Sequence, residues 1–179
     1  MLKKTDIKQI ALILVSAIVF MSVFLFLHHT LYYSQETAIF KNTFSLKNNL
    51  PDYLNSEKEF SKISSKIKFD TIPFQKIKSV KILPTIKTEN ADIEILLVIS
   101  IEYEGKSVLW KSFKLQKQLQ ALNKWQVLEQ VYNFNDFNFN KNYTFKAYIW
   151  NKSKSEFTLK NISVEFYDKK IESKNLVFQ

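Results

Sequence analysis

The most continuous apolar pattern in the chain lies near the N-terminus. Residues 10–27 read IALILVSAIVFMSVFLFL and include no charged side chain. A helix rises about 1.5 Å per residue, so this run nearly crosses a hydrocarbon core of about 30 Å, and its flanks supply the rest. The run continues into HHTLYYSQETA, which lacks a small-x-small cleavage site. The pattern predicts an uncleaved transmembrane anchor helix over residues 9–33, in preference to a cleaved signal peptide.

The distribution of lysine around this run predicts its orientation. Three lysines precede it within residues 1–8, whereas the first lysine after it is Lys41. Because flanking positive residues stay in the cytoplasm, residues 1–8 are expected to form a short cytoplasmic tail and residues 34–179 an extracytoplasmic domain. The abundance of Lys, Asn, Ile, Phe and Tyr indicates an AT-rich, bacterial genome. We therefore expect a single-pass protein of the bacterial inner membrane with its domain in the periplasm or outside the cell.

From residue 78 onward, apolar and polar residues alternate with the period of two that is typical of strands. The segment DIEILLVISIEY is the clearest case, and its aliphatic positions on one face are Ile93, Ile95, Leu97, Ile99 and Ile101. Leu96 and Val98 make the middle of its second face apolar as well, which predicts a central strand covered from both sides. The following turn contains Gly105, the only glycine of the chain, and predicts a hairpin with SVLWKSFKL as the partner strand.

Two of the predicted strands contain an irregular position. KSVKILPTIKT includes Pro84, which has no N–H for a sheet ladder, so this strand is predicted to be an edge or to carry a bulge. In the last strand, residues 157–167, the apolar residues change parity between Leu159 and Ile162. A β-bulge between these two residues explains the change of phase.

The remaining segments complete an all-β domain. Strands are also predicted at residues 39–46, 125–134 and 143–151, whereas residues 52–77 are expected to contain loops with one short strand or helix. At least six strands joined by short turns predict an antiparallel β-sandwich after the single N-terminal transmembrane helix.

The charge pattern argues against a nucleic-acid partner. All 26 basic residues are lysine, and the formal net charge is +9. The lysines are spread along the chain among Glu and Asp, which is typical of a solvated surface. Proteins that read nucleic acids favour arginine for its planar, bidentate fork. A chain without arginine is therefore predicted to have no nucleic-acid partner.

Side chains suited to catalysis are scarce. Cysteine is absent, and the only histidines, His28 and His29, would point about 100° apart on a helix, so they are predicted to be interfacial residues rather than a metal pair. A single glycine cannot form a phosphate-binding loop. Acidic pairs such as Asp92 with Glu94 lie at the rims of an apolar strand. The sequence predicts a protein without enzymatic activity.

The order of four segments resembles a known family. A strand pair with an acidic-glycine turn, LLVISIEYEGKSVLWKSFKL, is followed by Trp125, then by FKAYIWN and a closing NISVEFY. This order is similar to that of the galactose-binding-like jelly rolls, the carbohydrate-binding-module type of fold found in bacterial envelope and secreted proteins, over roughly residues 40–170. The resemblance implies a jelly-roll β-sandwich that binds sugars on one face or edge, and it implies a core position for Trp125. Many members of that family also hold a structural calcium ion.

The strand YTFKAYIWN contains the candidate ligand-binding residues. If its apolar residues face the core, its polar and aromatic residues face outward. The candidates are Lys146, Tyr148, Trp150 and the flanking Asn151. A Tyr and a Trp two residues apart suit stacking against the apolar face of a sugar. The alternative is that a loop, or the segment after the anchor, covers both rings.

The connector NFNDFNFNKN is the one candidate for a calcium site. Asp136 and the neighbouring asparagines supply oxygen ligands that calcium accepts, although one carboxylate is few for such a site. Asn-rich turns also serve left-handed backbone geometry. The alternating Phe134, Phe137 and Phe139 are predicted to close one end of the sandwich. No other cofactor is expected.

Two functions are compatible with these features. The first is a non-enzymatic, single-pass membrane protein whose extracytoplasmic domain binds an envelope glycan or glycoprotein. The alternative is a structural or accessory subunit that docks onto a larger envelope membrane complex through its helix and sheet surface. The expected partners are therefore the membrane and either a glycan or a protein.

Overall fold

The computed structural model describes residues 16, 18–24, 37–90 and 92–172. The chain divides into two compact units, Met1–Thr37 and Ala38–Gln179.

The first unit contributes a short helical segment. Residues 16 and 18–24 are helical, and the remainder of the predicted anchor over residues 9–33 lies outside the described residues. No helix within the described ranges combines the length and the apolarity needed to cross a membrane. The anchor, its orientation and the membrane location therefore stay predictions.

The second unit is an all-β sandwich of antiparallel sheets, which confirms the predicted fold class at this level. Its described residues form ten strands: β1 Phe40–Phe44, β2 Asp52–Leu54, β3 Phe60–Lys68, β4 Ser79–Thr88, β5 Ile95–Tyr103, β6 Lys106–Lys114, β7 Gln126–Val127, β8 Gln130–Asn133, β9 Thr144–Asn151 and β10 Phe157–Tyr167. The six-stranded sheet has the order β1-β10-β4-β7, with β2 also paired to β10 and β8 also paired to β4. The four-stranded sheet has the order β3-β9-β5-β6.

The core lies between the two sheets and is built by residues at alternate positions along their inner strands, with one change of parity at the bulge of β10. The fully buried residues of the four-stranded sheet include Ile95, Leu97, Ile99, Ile101, Phe145, Ala147 and Ile149. Those of the six-stranded sheet include Val80, Ile82, Ile86, Ile162, Val164 and Phe166. Burying each large aliphatic or aromatic side chain stabilises the fold by about 1.5–3 kcal/mol. The predicted inward face of β5 is thereby confirmed.

Aromatic rings connect the two sheets and close one end of the core. The rings of Phe145 and Phe166 meet edge to face with centroids 5.1 Å apart. Phe134 is buried, and Phe139 lies with its ring centroid 5.0 Å from that of Phe134 and 4.9 Å from that of Phe137. Edge-to-face contacts of this kind add to the stabilisation from burial. The packing role predicted for the three phenylalanines of the connector is confirmed.

The irregular positions of two strands fall where the sequence places them, with one difference. The register of β10 against β4 shifts between Leu159 and Asn161, which confirms the predicted bulge. However, β4 is an inner strand, because it pairs with β10 on one side and with β7 and β8 on the other. The ladder on the second side is interrupted opposite Pro84, whose carbonyl accepts a hydrogen bond from the Leu128 N–H at 3.0 Å. Thus Pro84 lies in β4 at the position where the partner ladder is interrupted between β7 and β8.

Residues 52–77 were predicted to contain loops with one short strand or helix. This prediction was wrong about the length of the strand, because the nine-residue β3 lies there. Its inward positions alternate serine with isoleucine. The Ser65 hydroxyl accepts a hydrogen bond from the Ala147 N–H at 2.7 Å, and the Ser61 hydroxyl accepts one from the Ile149 N–H at 3.0 Å. These hydroxyls satisfy backbone donors of β9, and Ser61 lies within the stretch where the register of the β3–β9 pair is irregular. The same serines remove half of the aliphatic signal that marks a strand.

Trp125 does not occupy the core position that the resemblance implied. It immediately precedes β7 at the margin of the six-stranded sheet and is 44% exposed. The Lys160 ammonium lies 5.9 Å from the centroid of its ring. In β7, Val127 lies opposite Thr85 and is 63% exposed, whereas Gln126 lies opposite the buried Ile86. Trp125 shares the parity of Val127, so its indole lies on the outer side of the sheet.

Charged groups close part of the outer face of the six-stranded sheet. Glu165 is buried, and it accepts hydrogen bonds from the Tyr167 hydroxyl at 2.6 Å and from the Lys41 ammonium at 2.5 Å. Burial of this carboxyl opposes its ionisation, but the hydrogen bonds from Lys41 and Tyr167, with the charges of Lys41 and Lys81, hold the pKa of Glu165 below its ordinary value. Both carboxylate oxygens of Glu165 therefore have partners within the sheet.

The β5–β6 hairpin provides a direct test of the role of the lone glycine. Tyr103 pairs with Lys106, and the two residues between them have positive φ angles, +49° at Glu104 and +78° at Gly105, as in a type I′ turn. We expect Gly105→Ala to lower the free energy of unfolding by about 1 kcal/mol in urea denaturation, because an L side chain is strained at this φ. A Cβ at this position meets nothing within 4 Å, so the cost is purely conformational.

The matched variant is Glu104→Asn, which creates the Asn-Gly pair that type I′ turns favour and is expected to raise the stability. Equal stability of the wild type and both variants would contradict this account of the turn.

Candidate ligand-binding face

The outer face of the four-stranded sheet carries three of the four predicted site residues. Along β9 the side chains alternate, with Phe145, Ala147 and Ile149 buried and Lys146, Tyr148 and Trp150 partly exposed on the opposite face. The predicted orientation of this strand is therefore confirmed. The two rings are neither fully covered nor fully open.

Register extends this face across the sheet, because residues directly opposite each other in neighbouring strands point to the same side. On β3, Phe60 lies opposite Trp150, Ser64 lies opposite Tyr148 and Lys66 lies opposite Lys146. On the other side of β9, Ser100 of β5 lies opposite Lys146, and Trp110 of β6 lies opposite Ser100. One row of the face therefore reads Lys66, Lys146, Ser100 and Trp110.

The floor of the face beneath the rings is apolar. Leu96 lies opposite Trp150 and Val98 opposite Tyr148, and both aliphatic side chains are buried although they point away from the core. This confirms the prediction that β5 is covered on both faces. A sheet face with an apolar floor and polar neighbours combines two properties that a binding surface needs.

A groove of about 470 Å³ opens between β3 and β9 on this face. Its lining residues are Phe60, Ser61, Ser64, Ser65, Lys66, Glu102, Lys146 and Tyr148. The volume falls within the range of about 300–1,000 Å³ that is typical of small-molecule sites. Two of the predicted site residues, Lys146 and Tyr148, contribute to it.

The aromatic side chains beside the groove are held in a fixed arrangement. The ring of Phe60 meets that of Tyr148 edge to face at 5.9 Å and stacks on that of Trp150 at 6.1 Å with an interplanar angle of 28°. The Trp150 indole donates a hydrogen bond to Glu59 Oε1 at 2.9 Å. Phe60 and Trp110 are 49% and 48% exposed. The face therefore presents accessible ring surface at two sides of the groove.

The groove contains more positive than negative side chains. The Lys146 ammonium forms an ion pair with Glu102 Oε2 at 2.6 Å. Lys66 lies directly opposite Lys146, and no carboxylate in the described part of the chain lies within ion-pair distance of it. Two lysines and one glutamate thus give the groove one excess positive charge.

Asn151, the fourth predicted site residue, is fully buried and belongs to the scaffold. Its side-chain amide donates hydrogen bonds to the carbonyls of Asn55 at 3.0 Å and Ser155 at 2.9 Å, and its side-chain oxygen accepts one from the Ser155 N–H at 3.1 Å. Its backbone N–H also donates to the Glu59 carbonyl at 2.7 Å. Asn151 therefore positions the loop that places Glu59 and Phe60 beside the groove.

A buried carboxylate fixes the same loop from its other side. Asp52 accepts a hydrogen bond from the Lys62 N–H at 2.5 Å and forms an ion pair with Lys58. Because both of its oxygens are used within the loop, Asp52 contributes to the shape of the groove and not to its chemistry.

The arrangement is suited to binding rather than to bond cleavage. Glu102, the carboxylate in the groove, is neutralised by Lys146. No three His, Cys, Asp or Glu side chains of the described residues come together in a way that could hold a metal ion. Asp136, the predicted calcium candidate, lies at a turn with φ of +54°. This positive φ is the left-handed backbone geometry that the alternative interpretation assigned to the asparagine-rich connector.

The residues of β3 are the part of the site that sequence reasoning missed. Phe60, Ser64 and Lys66 lie in a stretch that was expected to be mostly loop. The available signal was the alternation of Ile63 and Ile67 with polar residues at the positions between them. That signal spans only two large aliphatic residues, which is why it did not stand out from a loop.

Comparison with known proteins gives no family for this chain. No family model and no curated protein matches it. Among solved structures, it is similar to the CBM22-1 and GH10 modules of Clostridium thermocellum xylanase 10B complexed with xylohexaose, with a TM-score of 0.43, 10% identity, and coverage of 79% of this chain and 30% of that one. The chain thus spans less than a third of the length of that xylanase fragment.

Two further structures cover a similar share of the chain. The CBM1 module of BiXyn10A matches with a TM-score of 0.36 and 9% identity, over 72% of this chain and 98% of that one. Chicken MD-1 complexed with lipid IVa matches with a TM-score of 0.33 and 14% identity, over 71% and 97%. Similarities at this level assign neither a family nor a ligand to this chain.

The structural role of Asn151 leads to a stability prediction. Asn151→Ala leaves two carbonyls and one N–H without their partners, and each unpaired buried group costs about 1–3 kcal/mol. We expect the free energy of unfolding to fall by about 2–4 kcal/mol, measured by urea denaturation. The control is Asn142→Ala, an exposed position at which the change is expected to stay within about 0.5 kcal/mol. Equal effects at the two positions would contradict the structural role of Asn151.

Proposed function

We propose that the β-sandwich is a non-enzymatic binding module that holds a saccharide on the outer face of its four-stranded sheet. The observation that supports this most strongly is the groove between β3 and β9, in which the ring of Tyr148 lies beside Lys66, Lys146, Glu102 and Ser64. Ring surface and hydrogen-bonding side chains thus occur together in one open site.

The chemistry of a sugar matches this combination. One face of a pyranose is made of C–H groups and packs against aromatic rings, while its hydroxyls require hydrogen-bond partners around the rim. Tyr148 and Phe60 supply the rings within the groove, and Trp110 supplies a further exposed ring two strands away. The lysines donate hydrogen bonds, Glu102 accepts them, and Ser64 can do either.

We also propose that the sandwich is a jelly roll. If β1 with β2 and β7 with β8 are each counted as one interrupted strand, eight strands divide four and four between the sheets. Successive strands then alternate between the sheets from β2 to β5 and again from β8 to β10, with the β5–β6 hairpin lying within one sheet. This strand order supports the double-sheet arrangement of a jelly roll.

The module is proposed to work at the extracytoplasmic side of a bacterial inner membrane. The support comes from the uncharged run of residues 10–27 and from the lysines that precede it. An envelope glycan or glycoprotein would be the ligand accessible from that position. A small tethered module of this kind increases the local concentration of its ligand at the membrane.

The binding proposal is tested with purified full-length protein in mild detergent on a panel of immobilised glycans. We expect Tyr148→Ala and Trp110→Ala each to weaken retention about tenfold or more, because each removes a stacking ring. Trp125→Ala is the matched control, since Trp125 is equally exposed but lies at the other sheet. Failure to retain any glycan, or an equal loss of retention in all three variants, would contradict the proposal. Recovery of a stoichiometric protein partner in the same detergent would instead favour an accessory subunit.

The anchor is tested separately by alkaline carbonate extraction of membranes from a bacterial host. We expect the wild-type chain to stay in the membrane pellet with its N-terminus intact, and Leu14→Lys/Ile18→Lys to be released, because each central lysine costs about 2.5–3.5 kcal/mol. Wild-type protein that is soluble, or that lacks its first residues by mass spectrometry, would contradict the anchor.

A further inference from the structure

The positions of three charged residues in the groove bear on the class of ligand. Lys66 of β3 and Lys146 of β9 are directly opposite each other, an arrangement that places their Cβ atoms about 4.5–5.5 Å apart. Like charges in this relation destabilise a sheet unless a counter-charge is present. Glu102 supplies that counter-charge to Lys146 at 2.6 Å, while Lys66 is left with its full positive charge at the rim.

No other carboxylate of the described residues compensates Lys66. Glu59, which precedes Phe60, accepts a hydrogen bond from the Trp150 indole at 2.9 Å. Glu94 pairs with Lys152 at 3.1 Å and with Lys114 at 3.7 Å. The carboxylates around the face therefore have partners of their own, and the groove retains one excess positive charge.

The relation between Lys66 and Tyr148 suits a ligand that combines a ring with an acid group. Ser64 lies opposite Tyr148, and Lys66 lies two residues further along β3, so Lys66 and Tyr148 are diagonal neighbours at about 7–8 Å. A pyranose stacked on Tyr148 would place a group attached to its ring within reach of the Lys66 ammonium. A neutral sugar would cover that ammonium without neutralising it, whereas an anion would form a charge-assisted hydrogen bond.

We infer that the ligand of this face is an acidic saccharide, whose carboxylate or phosphate pairs with Lys66 while its ring stacks on Tyr148. This inference rests on the proposed function, because it assigns a ligand class to the same groove. Lys66 is the specificity-determining residue, since it distinguishes an acidic sugar from its neutral parent. Tyr148 contributes binding to both.

The test compares matched saccharides on full-length protein in detergent. The probes are a neutral oligosaccharide, the same oligosaccharide with uronic acids, and the same oligosaccharide bearing phosphate. We expect at least one acidic probe to bind about tenfold or more tightly than the neutral parent, and we expect this preference to shrink as salt is raised. The relative affinity of the two acidic probes then identifies the acid group.

Substitutions separate this inference from the proposed function. Lys66→Gln is expected to remove the preference for the acidic probe, so that the acidic and neutral probes bind alike, whereas Tyr148→Ala weakens both and keeps the preference. Lys76→Gln, at an exposed lysine outside the groove, is the charge-matched control and should change neither. Equal binding of neutral and acidic probes, or a preference that survives Lys66→Gln, would overturn the acidic-ligand inference alone. Absence of binding to every probe would overturn the proposed function with it.

Discussion

The two-residue alternation of β9 is the constraint on which the sandwich and its candidate site both depend. The strand lies inside the four-stranded sheet, between β3 and β5, so its inward residues must fill the core while its outward residues remain on the surface. A shift of register by one residue would exchange these sets, exposing Phe145 and burying Lys146. The burial of the inward side chains therefore also fixes where Tyr148 and Trp150 point. In this sheet, the packing of the core therefore also determines the geometry of the candidate site.

The outer faces of the two sheets differ in the way their charges are used. On the six-stranded sheet, Glu165 is buried with Tyr167 and Lys41 as partners, so its ionised form is bound within the structure. On the four-stranded sheet, Glu102 neutralises one of two opposed lysines and Lys66 is left over. The ammonium of Lys66 belongs to the groove that also contains the ring of Tyr148. The loop before β3, which Asp52 and Asn151 hold in place, then adds Phe60 to that face.

Most of the sandwich was predictable because large aliphatic residues recur at alternate positions in its inner strands. In β5 this pattern marks both the inward face and the covered outer floor at Leu96 and Val98. In β10 a change of parity locates the bulge. The pattern failed in β3, where Ser61 and Ser65 replace aliphatic residues at inward positions because they accept hydrogen bonds from β9. The family resemblance failed for Trp125, which lies at the margin of the six-stranded sheet and is 44% exposed.

The sequence by itself determined the all-β class, the central position of β5 and the outward direction of Lys146, Tyr148 and Trp150, because these follow from the period of two within one segment. Only the tertiary structure decided which segments became neighbours. The pairing of β3 with β9 brought Phe60, Ser64 and Lys66 beside Tyr148, and the same fold withdrew Asn151 into the scaffold. These outcomes depend on contacts between residues far apart in the chain, and such pairings leave no periodic signal in the sequence of either strand.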